Sequence, residues 1–257
     1  MSLVHHTEKG RGHPLVLIHG FCETSRIWDH FAENLATNFR VFLPDLPGFG
    51  DSLLPPTPFT IADIGLKLLD WMDEFDIKNP VVIGHSLGGY IALAMAKEQP
   101  VRFPGFGLFH STAYADSEEK RNNRNKTIDF VQRNGVQPFI ETFVPGLFYQ
   151  KKNPFMDDVY AIASQTSIET LVAYSVAMRD RPSSVRLLET FPKPILMIAG
   201  HQDKIVAYEA ACAQSNLMKF PFFCGLTDVG HMGMFENEPA SLKIVKDFMF
   251  FAVKFRS

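Results

Sequence analysis

Cysteine is scarce in this sequence. There are 3 among 257 residues, Cys22, Cys212 and Cys224, with no C-x-x-C pair. That spacing excludes a disulfide framework and a thiolate metal site, and it fits a reducing compartment, so a cytoplasmic location is expected. Long apolar runs are missing too. The longest, Tyr90 to Ala96, is seven residues, against roughly 18 for a membrane-spanning helix, so no membrane span is expected. The opening Met1-Ser2-Leu3-Val4-His5-His6 lacks a basic segment followed by an apolar stretch, and no secretory leader is expected. Positive charge is not in excess: 25 Lys+Arg stand against 28 Asp+Glu, a formal charge of −3. The basic field that nucleic-acid binding requires is therefore absent. No pair of histidines or acids has a ligand spacing such as H-E-x-x-H, so no metal is expected. Gly48-Phe49-Gly50 is followed by Leu53 where a dinucleotide fingerprint needs glycine, so no nucleotide cofactor is expected. There is no internal repeat.

Hydrophobic residues make up 46% and charged residues 21%, an ordinary globular balance. A chain of this length can bury a core without a covalent or metal staple. Short apolar runs end repeatedly in Gly- or Pro-containing turns: Leu15–Ile18, Arg40–Leu43, Val81–Ile83, Phe106–Phe109 and Ile195–Ile198. Runs that are apolar on both faces read as strands covered by helices on both sides. A further strand is expected over Phe220–Leu226, and an edge strand over Leu3–Glu8. Helical patterns lie between them. Thr60 is placed to cap a helix whose stripe is Ile61, Ile64, Leu68, Met72 and Phe75. Tyr90–Lys97 reads as a buried helix. Asn237 is placed to cap a last helix with Pro239 in its first turn and Leu242, Val245, Phe248 and Ala252 on its buried face. Strand–helix alternation predicts an α/β fold with a mostly parallel, doubly wound sheet. Between Ser111 and Phe191 the alternation stops, and only helical patterns remain. That segment is expected to sit as a cap over the sheet edge, with Lys120, Arg121, Arg124, Lys126 and Arg133 of its first helix forming a solvated face, the alternative being a binding patch.

The sharpest signal is Gly84-His85-Ser86-Leu87-Gly88-Gly89, directly after one expected strand and directly before a helix. This is G-x-S-x-G in the strand–turn–helix context of a nucleophile elbow. Side chains at 84 and 88 would collide with neighbouring backbone, while the turn lifts the Ser86 hydroxyl to a helix N-terminus. There free N–H groups, Leu87 first, can stabilise a substrate oxyanion. A serine hydroxyl needs a base. His231, in Gly230-His231-Met232-Gly233, follows the last expected strand, and imidazole exchanges protons near neutral pH. Asp203 leaves the strand at 195–198 toward the same sheet edge and is placed to orient that ring. Asp116 and Asp228 are the competing acids. The loop His19-Gly20-Phe21-Cys22 leaves the strand beside the elbow, which makes the Phe21 N–H a candidate second oxyanion donor, with His19 bracing the turn and Cys22 a small thiol. His85 and His110 are candidate pocket residues. Phenylalanine accounts for 24 of the 32 aromatics, and Phe139, Phe143, Phe148 and Phe155 suit an apolar acyl pocket or the cap's own core.

Taken in order, these residues resemble the α/β-hydrolase superfamily. His19-Gly20-Phe21, Asp45-Leu46-Pro47-Gly48-Phe49-Gly50-Asp51-Ser52, Gly84 to Gly89, Asp203 and Gly230-His231 carry the likeness across nearly the whole chain. The resemblance implies an α/β-hydrolase fold with a sheet of seven or eight strands. The core would span 1–111 and 191–257, and a helical lid 112–190. It implies a triad of Ser86, Asp203 and His231, an oxyanion hole at Phe21 and Leu87, and no cofactor. With only 18 residues before His19, seven strands fit better than eight. Epoxide hydrolases and haloalkane dehalogenases of this fold carry aspartate where Ser86 stands, and carbon–carbon hydrolases typically carry Asn where His85 stands. The chain also looks similar to enol-lactone hydrolases and cofactor-free haloperoxidase-like esterases. The expected activity is hydrolysis of a small or medium carboxylic ester, thioester or lactone. The alternatives are C–C bond hydrolysis of ring-fission-type diketones and a ligand-binding protein on a hydrolase scaffold. Phe248-Met249-Phe250-Phe251 packs internally or against a second subunit, so monomer and homodimer both stand.

Overall fold

The structure is a computed structural model and describes residues 3–255; Met1 and Ser2 of the opening segment lie outside them. The chain runs through β1 His6–Gly10, β2 Pro14–Ile18, α1 Asp29–Leu35, β3 Arg40–Pro44, α2 Ile61–Glu74, β4 Val81–His85, α3 Leu87–Glu98 and β5 Phe106–Phe109. Five helices follow with no strand among them: α4 Glu118–Asn134, α5 Gln137–Leu147, α6 Met156–Ala163, α7 Ile168–Asp180 and α8 Val185–Thr190. The sheet resumes with β6 Ile195–Gly200, α9 Tyr208–Ser215 and β7 Pro221–Leu226, and the chain ends in α10 Gly233–Glu236 and α11 Glu238–Lys254.

The sheet has seven strands in the order β1-β3-β2-β4-β5-β6-β7. Only β1 runs antiparallel, against β3; the other neighbours are parallel. Every residue of β4 and β6 is buried, as strands sandwiched between helices must be. The strand order reverses between β2 and β4, which pair from Leu15↔Val81 to Ile18↔Gly84. The chain leaves β2 toward one edge and β4 toward the other, so a crevice opens at their carboxyl ends. Both the loop after β2 and the turn after β4 empty into it.

Side-chain caps start two of the helices that flank the sheet. Thr60 and Asp63 form a reciprocal capping box at α2: Asp63 N–H donates to Thr60 Oγ1 at 3.1 Å and Thr60 N–H to Asp63 Oδ2 at 2.8 Å. Asn237 Oδ1 accepts from Ala240 N–H at 3.3 Å to start α11. Two expectations shift. The edge strand lies at His6–Gly10 instead of Leu3–Glu8, because β1 registers His6↔Pro44 through Gly10↔Arg40 and Gly10 then turns out of the strand at φ 76°. Phe75 caps the end of α2 instead of lying in its buried stripe, and its ring stacks edge-on against His6 at 4.4 Å. Among the described residues, no helix is long and apolar enough to cross a membrane.

Candidate active site

Ser86 stands between β4 and α3 at φ 50°, ψ −113°. A side chain in that region is strained by about 1–3 kcal/mol and persists only where its surroundings hold it. Three bonds hold it here. Ser86 N–H donates to Phe109 O at 3.0 Å, and Ser86 O accepts from Gly89 N–H at 3.0 Å and Ser111 Oγ at 2.7 Å. The flanking glycines are demanded by close approach. A Cβ at Gly84 would lie 2.1 Å from the Gly88 carbonyl, and one at Gly88 would lie 2.5 Å from Ile18 O. Leu87 opens α3, so its amide has no acceptor within the helix.

Asp203 follows β6 and His231 precedes α10. His231 Nδ1–H donates to Asp203 Oδ2 at 2.8 Å, which leaves Nε2 as the basic nitrogen of the ring. Asp203 Oδ1 accepts from Ile205 N–H at 2.8 Å and Val206 N–H at 3.0 Å. Burial alone would raise this carboxyl; the electrostatic pull of His231 and the hydrogen bond from its ring outweigh it and hold Asp203 far below the usual carboxylate range. His110 Nδ1 lies 3.3 Å from Asp203 Oδ2, and burial lowers its imidazole to about 4, so it stands neutral beside the carboxylate. Ser86 and His231 line one cavity of about 60 Å³, whose walls include Phe21, Glu23, Phe143 and Leu147.

The loop after β2 is built around two further side chains. His19 Nε2 accepts from Leu46 N–H at 2.8 Å, so His19 Nδ1–H donates to Gly20 O at 2.9 Å. A trans peptide sets its C=O and N–H in opposite directions. Holding the Gly20 carbonyl therefore aims the Phe21 N–H away from His19. Glu23 Oε2 accepts from Gly20 N–H at 2.5 Å and from His85 Nδ1–H at 3.0 Å, and His85 Nε2–H donates to the His231 carbonyl at 2.9 Å. Burial works against charge on both groups. Their mutual attraction wins, raising His85 and lowering Glu23, so they form a buried ion pair. Nothing in the spacing of Glu23 signals this role; its partners lie 62 residues away at His85 and three residues back at Gly20.

The other expected site residues divide. Phe139 and Phe143 line a cavity that adjoins the one at Ser86. His85, His110 and Phe148 do not line either. His85 and His110 are fully buried behind the wall, occupied with Glu23 and Asp203, and Phe148 is buried against Phe235. Of the competing acids, Asp116 is tied to Arg124 and Arg181, and Asp228 lies on an exposed turn at φ 56°. Arg124, expected on a solvated helix face, is drawn inward by that bond to Asp116. Burial pushes the Cys22 thiol far up, which makes it inert. Among the described residues, His110, Asp203 and His231, and likewise His5, Asp45 and Asp51, bring potential metal-ligand atoms within 4.8 Å. In the first group Asp203 Oδ2 already accepts from His231 and Oδ1 from two backbone amides. In the second, Asp45 accepts from Ser25 and Asp51 amides.

The sequence model of the alpha/beta hydrolase family matches residues 15–242. The chain belongs to that family. Its fold superposes on a thermophilic esterase from Thermogutta terrifontis with a TM-score of 0.92, at 27% identity, covering 97% of this chain and 93% of that one. It superposes on an enol-lactonase from Burkholderia xenovorans with a TM-score of 0.88, at 22% identity and 96% of each chain; that likeness is one of fold. An uncharacterized protein of Mycobacterium tuberculosis is 35% identical over 91 residues, 35% of this chain and 27% of that protein. The match thus spans about a quarter of that longer relative. Within the alpha/beta hydrolase family, esterases and lactonases share this architecture with the present chain.

Proposed function

We propose that this alpha/beta hydrolase is a serine hydrolase that cleaves a small or medium carboxylic ester, thioester or lactone through an acyl-enzyme on Ser86. The observation that carries the reading is the shared cavity: Ser86, strained on its elbow, faces the same 60 Å³ space as His231, whose other ring nitrogen is bonded to Asp203. Ser86 Oγ attacks the carbonyl carbon while its proton passes to His231 Nε2. The oxyanion forms against the Phe21 and Leu87 N–H groups. Asp203 stabilises the imidazolium, which protonates the departing alkoxide or thiolate. Water then gives a proton to His231 and attacks the acyl carbon; the acid leaves, and Ser86 regains its proton.

Residues 112–190 act as the lid in this reading, and 1–111 with 191–257 as the core. α5 and α7 supply Phe143, Leu147 and Met178 to the cavity wall above Ser86. The likeness to the T. terrifontis esterase, which covers nearly all of both chains, supports the ester class. Intact mass after incubation with a fluorophosphonate tests the mechanism. One adduct on the wild type and none on Ser86→Ala is expected, together with loss of esterase activity. Full activity in Ser86→Ala would refute the acyl-enzyme. A folded wild type without adduct would point to a ligand-binding scaffold instead.

A further inference from the structure

The cavity at Ser86 adjoins a larger one of about 270 Å³, and Phe21, Tyr90, Arg124, Phe143 and Ile205 belong to both walls. The charges of the larger cavity are unbalanced. Lys120, Arg124 and Lys204 line it, against one carboxylate, Asp116. Asp116 is itself neutralised. It accepts from Arg124 Nε and from Arg181 Nη1, the latter at 2.7 Å, and it is buried. Burial alone would raise its carboxyl, but the two guanidinium groups hold it below its ordinary range.

The cations, by contrast, keep unused donors. Arg124 bonds Asp116 through Nε, and among the described residues its terminal nitrogens have no partner. Lys120 Nζ donates to one backbone carbonyl, Ile205 O, at 3.2 Å, and an ammonium has three protons to give. Lys204 has no hydrogen bond or ion pair among the described residues. Three cations on one wall repel one another, and an anion between them relieves that repulsion. A guanidinium held through Nε presents a preset fork to a carboxylate or phosphate. Phe139 and Phe143, stacked at 5.1 Å, give the same vestibule an apolar side.

We propose that this vestibule binds a second, anionic group of the substrate, so that the natural substrate is an ester, thioester or lactone carrying a carboxylate or phosphate a few bonds from the scissile carbonyl. The inference rests on the serine-hydrolase reading, and one assay separates the two. The 4-nitrophenyl monoester of adipic acid and 4-nitrophenyl hexanoate share a six-carbon acyl chain and differ in a terminal carboxylate against a methyl. The ratio of their kcat/KM values is internal to each protein, so partial misfolding of a variant cancels.

The wild type is expected to favour the adipate ester by roughly tenfold or more, and the preference to shrink as salt rises. Lys204→Gln and Arg124→Gln should each lower the ratio several-fold. Lys204 is exposed, which keeps the test usable if Arg124→Gln folds poorly. A wild-type ratio near one, or a ratio that neither variant moves, overturns the proposal. Fluorophosphonate labelling of Ser86 in the same preparation tells which idea has failed. An adduct with a ratio near one sinks the vestibule alone, whereas no adduct sinks the serine mechanism beneath it. Competition against hexanoate cleavage then assigns the anion: stronger inhibition by adipate marks a carboxylate substrate, and stronger inhibition by inorganic phosphate a phosphorylated one.

Discussion

Replacing Glu23 by glutamine removes one charge and almost no volume, at a site where both partners of the charge are buried. His85 is flanked by two acceptors, Glu23 Oε2 at 3.0 Å and the His231 carbonyl at 2.9 Å. To make both bonds the ring must carry two protons. Burial disfavours that state, and the Glu23 carboxylate reverses the balance. In Glu23→Gln the amide oxygen still accepts from Gly20 N–H, but the charge that chiefly offsets a buried imidazolium is gone, and the His231 carbonyl and the Asp203 charge alone do not replace it. The ring sheds a proton and loses one of its two bonds. A hydrogen bond to a charged group contributes about 1.5–3 kcal/mol, so the variant should be less stable by about 2–3 kcal/mol. At roughly 2–4 °C per kcal/mol for a chain of this size, its Tm should fall by about 4–12 °C. The pH dependence is a second signature. His85, raised, contributes fully below its unfolded value of about 6.5 and loses that contribution as pH rises through its folded value. Glu23, lowered, contributes above about 4.3 and loses it as pH falls through its folded value. The gap between wild type and variant should therefore be widest between about pH 4.5 and 6.5. Urea unfolding at pH 5.5, 7.5 and 9.5 with a common m value measures it. A gap below about 0.5 kcal/mol at pH 5.5, or one that is flat across the three, would refute the ion pair.

Ser86→Gly should unfold at higher urea than Ser86→Ala by roughly 1 kcal/mol, because only glycine adopts φ 50° without strain; equal midpoints would deny the strain. Asp203→Asn should lower kcat by roughly 10⁴-fold with KM little changed, since the ring loses its orienting anion. The lowered Asp203 carboxyl contributes stability above about pH 3.9 that disappears as pH falls, so the stability gap to Asp203→Asn should close in acid, as read by urea titration. His19→Ala frees the Gly20 carbonyl and should reduce kcat by roughly 10²–10³-fold while leaving KM nearly unmoved; a pure KM effect would place the Phe21 N–H outside the oxyanion hole. Native protein should resist iodoacetamide at Cys22 and react there once unfolded in urea, by peptide mass; rapid native labelling would show the thiol to be accessible.

Where the physics is local, the sequence is readable. The elbow is a sterically enforced pattern, with glycines at 84 and 88 because no Cβ fits, and its Gly-x-Ser-x-Gly letters announce it. Thr60 and Asn237 cap helices through atoms three residues away, again within reach of a pattern. Asp203 and His231 follow from strand order, since loops leaving β6 and β7 share an edge with the loop leaving β4. His85 and His110 show where such reasoning stops. Both sit at the carboxyl ends of central strands, where pocket residues are expected, yet each ring turns to a buried carboxylate and lies behind the cavity wall. Composition cannot tell a histidine that faces substrate from one that faces a buried acid. The acid in question, Glu23, stands in a loop with no periodicity at all.

His231 is gripped at two places by carboxylates from opposite ends of the chain. Asp203 holds the ring through Nδ1, while Glu23, through His85, holds the backbone carbonyl. Its amide in turn donates to Leu147 O at 2.8 Å, at the end of α5. Ring, carbonyl and amide are thus anchored to the β6 loop, to β4 and to the inserted helices respectively. The two glycines around His231 are required by close approach: a Cβ at Gly230 would lie 2.7 Å from Tyr149 N, and one at Gly233 2.5 Å from His110 Nε2. Glu23 also receives the Gly20 amide, one peptide before the Phe21 N–H. A single buried carboxylate therefore sets the register between the candidate base and the candidate oxyanion donor. Loosening it should displace both together, where loss of Asp203 affects the base alone.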